Sequence, residues 1–359
     1  MRLGLGRRMW ARLAGGIGAA VAFGVMAGCG SPAGDSSATP KAAGGGAPLK
    51  IGIVFDRGGR GDKSFNDSAW RGVERARAEL GIQDFPIESK SDADYETNLA
   101  ALADQGSDLV IAVGINMRNA LERVAPQYPN VRFAIVDAPV DLPNVRSLLF
   151  AEEEGSFLAG YAAALASRTG RVGFVGGMQI PLIEKFFAGF AAGARTANPN
   201  IVVLPEKYTG SWDNIDVGKV SANVLFNSNA DVVYHAAGRA GIGVINAAKE
   251  QRRLAIGVDS NQDDLEPGFV LTSMIKRVDE AVFQTIKDLK EGNFTAGAKM
   301  YNLAAGGVGL TDFVHTKDRI GGDEGMARIQ AIAERIKSGE IVVPTNKREL
   351  ESFTAGTGN

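Results

Sequence analysis

Lys50-Ile-Gly-Ile-Val-Phe-Asp56 and Arg171-Val-Gly-Phe-Val-Gly-Gly177 decide the fold, because one short apolar run ending in a turn occurs twice, 121 positions apart. Each run is too short for a buried helix and reads as a strand covered on both faces. A helical pattern follows each, Ser64 to Leu80 and then Lys185 to Ala197, with Phe65 and Phe186 again 121 apart at the heads of the two helices. Further along, Asp108-Leu-Val-Ile-Ala-Val-Gly114 matches Asp231-Val-Val-Tyr-His-Ala-Ala-Gly238, and Arg132-Phe-Ala-Ile-Val-Asp137 matches Arg253-Leu-Ala-Ile-Gly-Val-Asp259. Buried strands alternating with amphipathic helices argue for parallel sheets, and two such units in tandem predict two similar α/β lobes. Later elements are a strand over Phe269–Met274, a helix over Val278–Lys290, a strand over Met300–Leu303 and a helix over Glu324–Lys337. The pattern alone does not assign these to a lobe.

Outside the duplicated body the chain is simple. At 359 residues it exceeds what one core serves, and its 45 % apolar and 22 % charged content is globular. A net charge of −2, with no basic stripe after the first dozen residues, excludes nucleic acid as a partner. Arg2, Arg7, Arg8 and Arg12 precede an apolar run from Leu13 to Ala27, so residues 1–28 read as a secretory signal. Met26-Ala27-Gly28-Cys29 resembles a bacterial lipobox, which would make Cys29 a lipidated mature N-terminus and the anchor to a membrane. Cys29 is the only cysteine, so no internal disulfide supports the fold. Residues 29–48, mostly Gly, Ser, Ala and Pro, form a flexible tether.

Open parallel sheets bind ligands beyond the carboxyl ends of their strands. Two facing lobes place two such edges across a cleft. The first edge offers Asp56, Gly114 with Asn116, and Asp137; the second offers Gly176, Trp212, Gly238 and Asp259. One aspartate at a strand end reads as a helix cap. Three at matching edges read as acceptors for hydroxyl or amine donors, and aromatic rings supply flat apolar faces. The set suits a neutral, polyhydroxylated ligand with a flat ring.

Catalytic and cofactor constellations are weak. His235 lies inside an apolar strand and His315 stands alone, neither at metal-ligand spacing. Gly58-Gly-Arg-Gly-Asp-Lys-Ser64 imitates a phosphate loop, but Asp62 puts negative charge where phosphate would sit. Gly173, Gly176 and Gly177 are only a fragment of a dinucleotide fingerprint. The acidic pairs Asp92/Asp94 and Asp263/Asp264 read as surface. Neither a cofactor nor a metal is expected.

Val54-Phe-Asp-Arg-Gly-Gly59, Asp62-Lys-Ser-Phe-Asn66 and Trp70-Arg-Gly72 closely resemble the signature of the basic membrane protein family, the purine-nucleoside receptor lipoproteins of bacterial ABC importers. Ser91-Asp-Ala-Asp-Tyr95, Phe133–Asp137, Val172–Gly177, Gly257-Val-Asp259 and Leu271–Asp279 carry the likeness on, from about 49 to 310. The resemblance implies a type I periplasmic binding protein: two Rossmann-like lobes joined by a hinge that the chain crosses three times. The first lobe would span 49–150 plus about 276–295, and the second 151–275 plus about 296–345. It further implies Phe65 as a stacking ring, Asn66 and Asp137 as readers of the base, and Asp56, Gly238, Asp259 and Lys276 as ribose contacts. The opposing ring is Phe186, from the repeat, or Trp212, from its place after a second-lobe strand. A monomer outside the cytoplasm, partnered by an ABC permease and its ATPase, follows. The alternatives are a sugar or signalling-molecule receptor of the same fold and, from another class, a nucleoside hydrolase.

Overall fold

The computed structural model describes residues 47–354. The signal 1–28, Cys29 and the tether up to residue 46 lie outside the described residues. The first sheet contains β1 (Lys50–Phe55), β2 (Gln83–Glu88), β3 (Leu109–Val113), β4 (Arg132–Val136), β5 (Val145–Phe150) and β12 (Gly297–Tyr301). Its order is β12-β5-β4-β3-β1-β2, parallel throughout. The second contains β6 (Arg171–Gly176), β7 (Val202–Val203), β8 (Lys207–Tyr208), β9 (Val232–Ala236), β10 (Leu254–Asp259), β11 (Val270–Lys276) and β13 (Val308–Leu310). Its order is β13-β11-β10-β9-β6-β7, with β8 also on β6, and only β13 runs antiparallel. Reading β1, β2, β3, β4, β5 and β12 onto β6, β7, β9, β10, β11 and β13 gives one strand order twice. The apolar runs quoted above are those strands, and β3, β9 and β10 are buried at every residue, as helices on both faces require.

Helices α1 (Phe65–Leu80), α2 (Asp94–Asp104) and α3 (Arg118–Val124) belong with the first sheet; α5 (Pro181–Ala197), α6 (Ile215–Asn227) and α7 (Gly241–Glu250) belong with the second. Two further helices change sides. The helix α4 (Glu152–Ala166) follows β5 but packs on α5 and β11, and α8 (Val278–Lys290) follows β11 but packs on α1. Near the C-terminus α9 (Gly322–Lys337) packs on α4 and α10 (Lys347–Ser352) on α5. The chain therefore passes between the sheets at Ala151, at Arg277, and between Tyr301 and Val308.

The third passage corrects the expectation that residues from about 296 belong to the second lobe. β12 pairs with β5 from Gly297↔Arg146 to Tyr301↔Phe150, and the Tyr301 ring stacks on Phe150 at 5.2 Å. The helix carrying Phe186 also begins four residues before the pattern's Lys185, because Pro181 at its first turn needs no N–H partner there. Phe186 thus sits in the second turn of α5, whereas Phe65 is the first residue of α1.

Helix pairs on the second sheet meet through glycine. A Cβ at Gly160 of α4 or Gly193 of α5 would stand 1.9 Å from the carbonyl oxygen of Phe190 or Phe157. Gly218 of α6 and Gly243 of α7 are equally tight against Ala240 and Ile215. Only hydrogen fits at these crossings.

Candidate ligand-binding cleft

The carboxyl ends of β1, β3 and β4 converge with those of β9, β10 and β11 on one cavity. Asp56, Phe65, Asn66, Asp137, Phe186, Trp212, Gly238, Asp259 and Lys276 all border it, as does Gly114. Asn116 acts one step back, donating from Nδ2 to Asp56 at 3.0 Å. Gly176 takes no part, since Ile183 and Tyr208 pack over it.

On the first sheet, Asp56 ends β1 and accepts from the Arg57 backbone N–H at 2.7 Å, from Asn116 and from the Tyr95 hydroxyl. Burial raises its pKa, with those hydrogen bonds opposing. The loop after β1 returns Asp62 beneath α1, where the carboxylate accepts backbone N–H groups of Ser64, Asn66 and Asp67 at 2.8–3.1 Å. Asp62 thereby does the capping that Ser64, whose side chain makes no cap, leaves undone.

Lys276, at the end of β11, is the centre of charge. Its Nζ lies 2.6 Å from Asp137 and 3.1 Å from Glu152, with all three side chains almost fully buried. Rings of Phe65, Phe150 and Phe186 surround the ammonium at 5.2, 5.0 and 5.6 Å from their centroids. Burial opposes the charge on Lys276, but Asp137, Glu152 and Asp259 together outweigh it and raise its pKa. One cation cannot neutralise three carboxylates. Burial, aided by Glu152 and Asp259 and opposed by Lys276, holds the Asp137 carboxyl up to about 7. Asp137 directly follows β4 and Asp259 ends the equivalent strand β10, and both adopt left-handed backbone, φ 71° and 64°. Outside glycine this conformation is uncommon and clusters at ligand sites.

Four residues of this lining bury a polar atom without a hydrogen-bond partner: Arg57 Nε, which lies 3.2 Å from the Asp92 carboxylate, and Asn66 Oδ1, Asp137 Oδ1 and Trp212 Nε1. The Trp212 ring lies on the backbone of Gly177, where a Cβ would come within 2.2 Å. Across the cleft the sheets are bonded to each other. Ser64 Oγ donates to Asp259 at 2.6 Å, Ser260 Oγ to the Ser64 carbonyl at 2.7 Å, Arg71 to Ser260 at 2.9 Å, and Gln262 Nε2 to the Lys63 carbonyl at 3.0 Å.

Residues 50–347 match the family described as ABC transporter substrate-binding protein PnrA-like, Bmp. The chain belongs to the Bmp family. The Listeria innocua protein named CD4+ T-cell-stimulating antigen is 36 % identical over 90 % of this chain and 96 % of its own. The Lactococcus lactis ABC transporter nucleoside-binding protein BmpA is 36 % identical over 73 % of this chain and 81 % of its own. An ABC transporter solute-binding protein from Aeropyrum pernix superposes with a TM-score of 0.77 at 32 % identity, over 85 % of this chain and 96 % of its own. The chain is thus an ABC transporter substrate-binding protein with the two-lobed α/β fold of that class.

Within this Bmp-family cleft, several contributors were not among the expected site residues. Glu152 opens a run of three glutamates that reads as complementing the start of α4; its approach to Lys276 follows only from α4 changing sides. Tyr95 and Asp62 lie inside the quoted motifs but away from strand ends. Arg239 borders the cavity next to Gly238. His235 is fully buried in β9, where Nε2 meets Gln262 Oε1 at 3.0 Å. That oxygen also accepts the Val258 N–H at 2.9 Å, so the imidazole must donate. Burial lowers the His235 pKa to about 4, keeping it neutral and structural.

Proposed function

We propose that this protein captures a purine nucleoside in the cleft and delivers it, chemically unchanged, to an ABC permease and its ATPase. It would act outside the cytoplasm as a monomer, tethered to the membrane through a lipidated Cys29. The observation that carries the reading is the make-up of one cavity: rings of Phe65, Phe186 and Trp212, strand-end carboxylates, and free hydrogen-bonding atoms on Asn66, Asp137 and Trp212. A base would lie against Phe65, opposed by Phe186 or Trp212, with its edge on Asn66 and Asp137. Asp56, Asp259, Lys276 and the Gly238 backbone would take the ribose hydroxyls. A neutral ligand suits a lining that already holds both signs of charge, Asp56, Asp62, Asp137 and Asp259 with Arg57, Arg239 and Lys276. The name of the Lactococcus relative supports the same ligand class. Catalysis has no support here, since His235 is enclosed and serves Gln262.

Titration calorimetry with adenosine, guanosine, cytidine and ribose tests the proposal. Purine nucleosides are expected to bind and ribose to be ignored; ribose bound as tightly as a nucleoside would instead favour a sugar receptor. Free base appearing on long incubation would favour hydrolysis. Phe65→Ala should weaken nucleoside binding by about 1–3 kcal/mol, roughly five- to 150-fold, in a variant that remains folded. An unchanged affinity would remove Phe65 from the site.

A further inference from the structure

Asp62 does more than hold its loop. Its Oδ2 accepts both the backbone N–H of Asn66, at 2.8 Å, and the Asn66 side-chain Nδ2, at 3.0 Å. The second bond fixes which end of the amide turns away. If the amide flipped, its carbonyl oxygen would lie at that same short distance from a carboxylate oxygen with no hydrogen between them. Burial raises the Asp62 pKa to about 6, and two more backbone N–H groups, from Ser64 at 2.9 Å and Asp67 at 3.1 Å, converge on Oδ1 and oppose that rise, so the carboxylate form prevails above pH 6. Asn66 Oδ1 is therefore the end left buried and unpaired at the cavity. Asp137 presents a second oxygen of the same kind: its Oδ2 is held by Lys276 at 2.6 Å, and its Oδ1 has no partner.

We propose that Asp62 is a positioning residue that sets ligand choice. By locking Asn66 as an acceptor in the cavity that also holds the free oxygen of Asp137, it makes the cleft prefer purine nucleosides with an exocyclic amine over hypoxanthine nucleosides. The proposal rests on the nucleoside reading of the cleft and narrows it. Above the value near 7 to which its carboxyl is held, Asp137 is ionised and its free oxygen accepts, so at pH 8, where the comparison is made, the two acceptors require two donor hydrogens from the ligand. Guanosine supplies a ring N–H and a 2-amino group, and adenosine supplies the two hydrogens of its 6-amino group. Inosine has one ring N–H and a carbonyl, which leaves one buried acceptor unpaired or facing another acceptor. Sites built to accept a ligand N–H reject analogues that lack it.

Calorimetry on the full protein decides the matter. Adenosine and guanosine are expected to bind at least about tenfold more tightly than inosine. In Asp62→Asn, where the introduced amide can donate to a flipped Asn66, that ratio should fall towards one, a change that a loss of loop support alone would not produce. Equal affinity for inosine in the native protein, or an unmoved ratio in a folded variant, overturns the proposal while leaving the nucleoside reading intact. If no nucleoside binds, that reading falls and this one with it. Should Asp62→Asn fail to fold, hydrogen exchange at the Asn66 side-chain amide of the native protein replaces it: one slowly exchanging proton is expected, and two fast ones refute the lock.

Discussion

Lys276 is the residue on which the cleft's charge balance turns. Breaking a buried pair leaves an uncompensated charge, so Lys276→Met should destabilise the ligand-free protein by about 3–5 kcal/mol in urea denaturation at neutral pH. Asp137 gives the accompanying pH dependence. Its carboxyl is held up to about 7 in the folded chain against an ordinary 3.8, so its stabilising contribution is complete below the lower value and is lost as pH rises through the upper one. Melting temperature should therefore rise from about pH 8 to about pH 6.5, and Asp137→Asn should reduce that slope, with Glu153, which burial also holds up to about 7, supplying part of the remainder. A native protein with no such rise would show that Lys276 alone neutralises Asp137. His235 pulls the other way only below its ordinary 6.5, so it barely affects this window. The strand-end aspartates were legible because a five- or six-residue apolar strand puts its last residue at the sheet edge whatever its neighbours do. Glu152 was not, because its partner belongs to a strand more than a hundred residues away.

The elements were legible where periodicity alone decided them, as in β1, β3, β4 and α8. They were less so where a distant partner decided, as in β12: the pattern placed a strand at Met300–Leu303, but the strand starts at Gly297, where β5 pairs with it. Start sites drifted for a local reason, Pro181 opening α5 earlier than apolar spacing indicates. Glycine weakens an isolated helix, yet Gly160 of α4 and Gly193 of α5 are the contact surface itself. Gly193→Ala should force the two backbones apart and destabilise the protein by roughly 1–3 kcal/mol, read as a lower urea midpoint at constant slope. Stability equal to the native protein would mean the helices are free to separate at that crossing.

For the molecule as a whole, the duplicated halves were legible but their interleaving was not, since no pattern states which sheet a late strand joins. The bonds between the sheets set how long they stay together. Ser260 and Gln262 reach from the second sheet to Ser64 and Lys63 without bordering the cavity. Gln262 also serves His235 and Val258, so the test uses Ser260→Ala alone, which should speed ligand release severalfold, up to about tenfold, while association changes little, measured by stopped-flow fluorescence. A slower association with unchanged release would place these bonds in the encounter instead. The three passages between the sheets carry a consequence for taking the protein apart. A gene cut after residue 150 strands β12 on the wrong piece, and a cut after 277 or 303 does the same to β13. No single division yields two self-sufficient products, so heredity must treat the two look-alike halves as one indivisible unit.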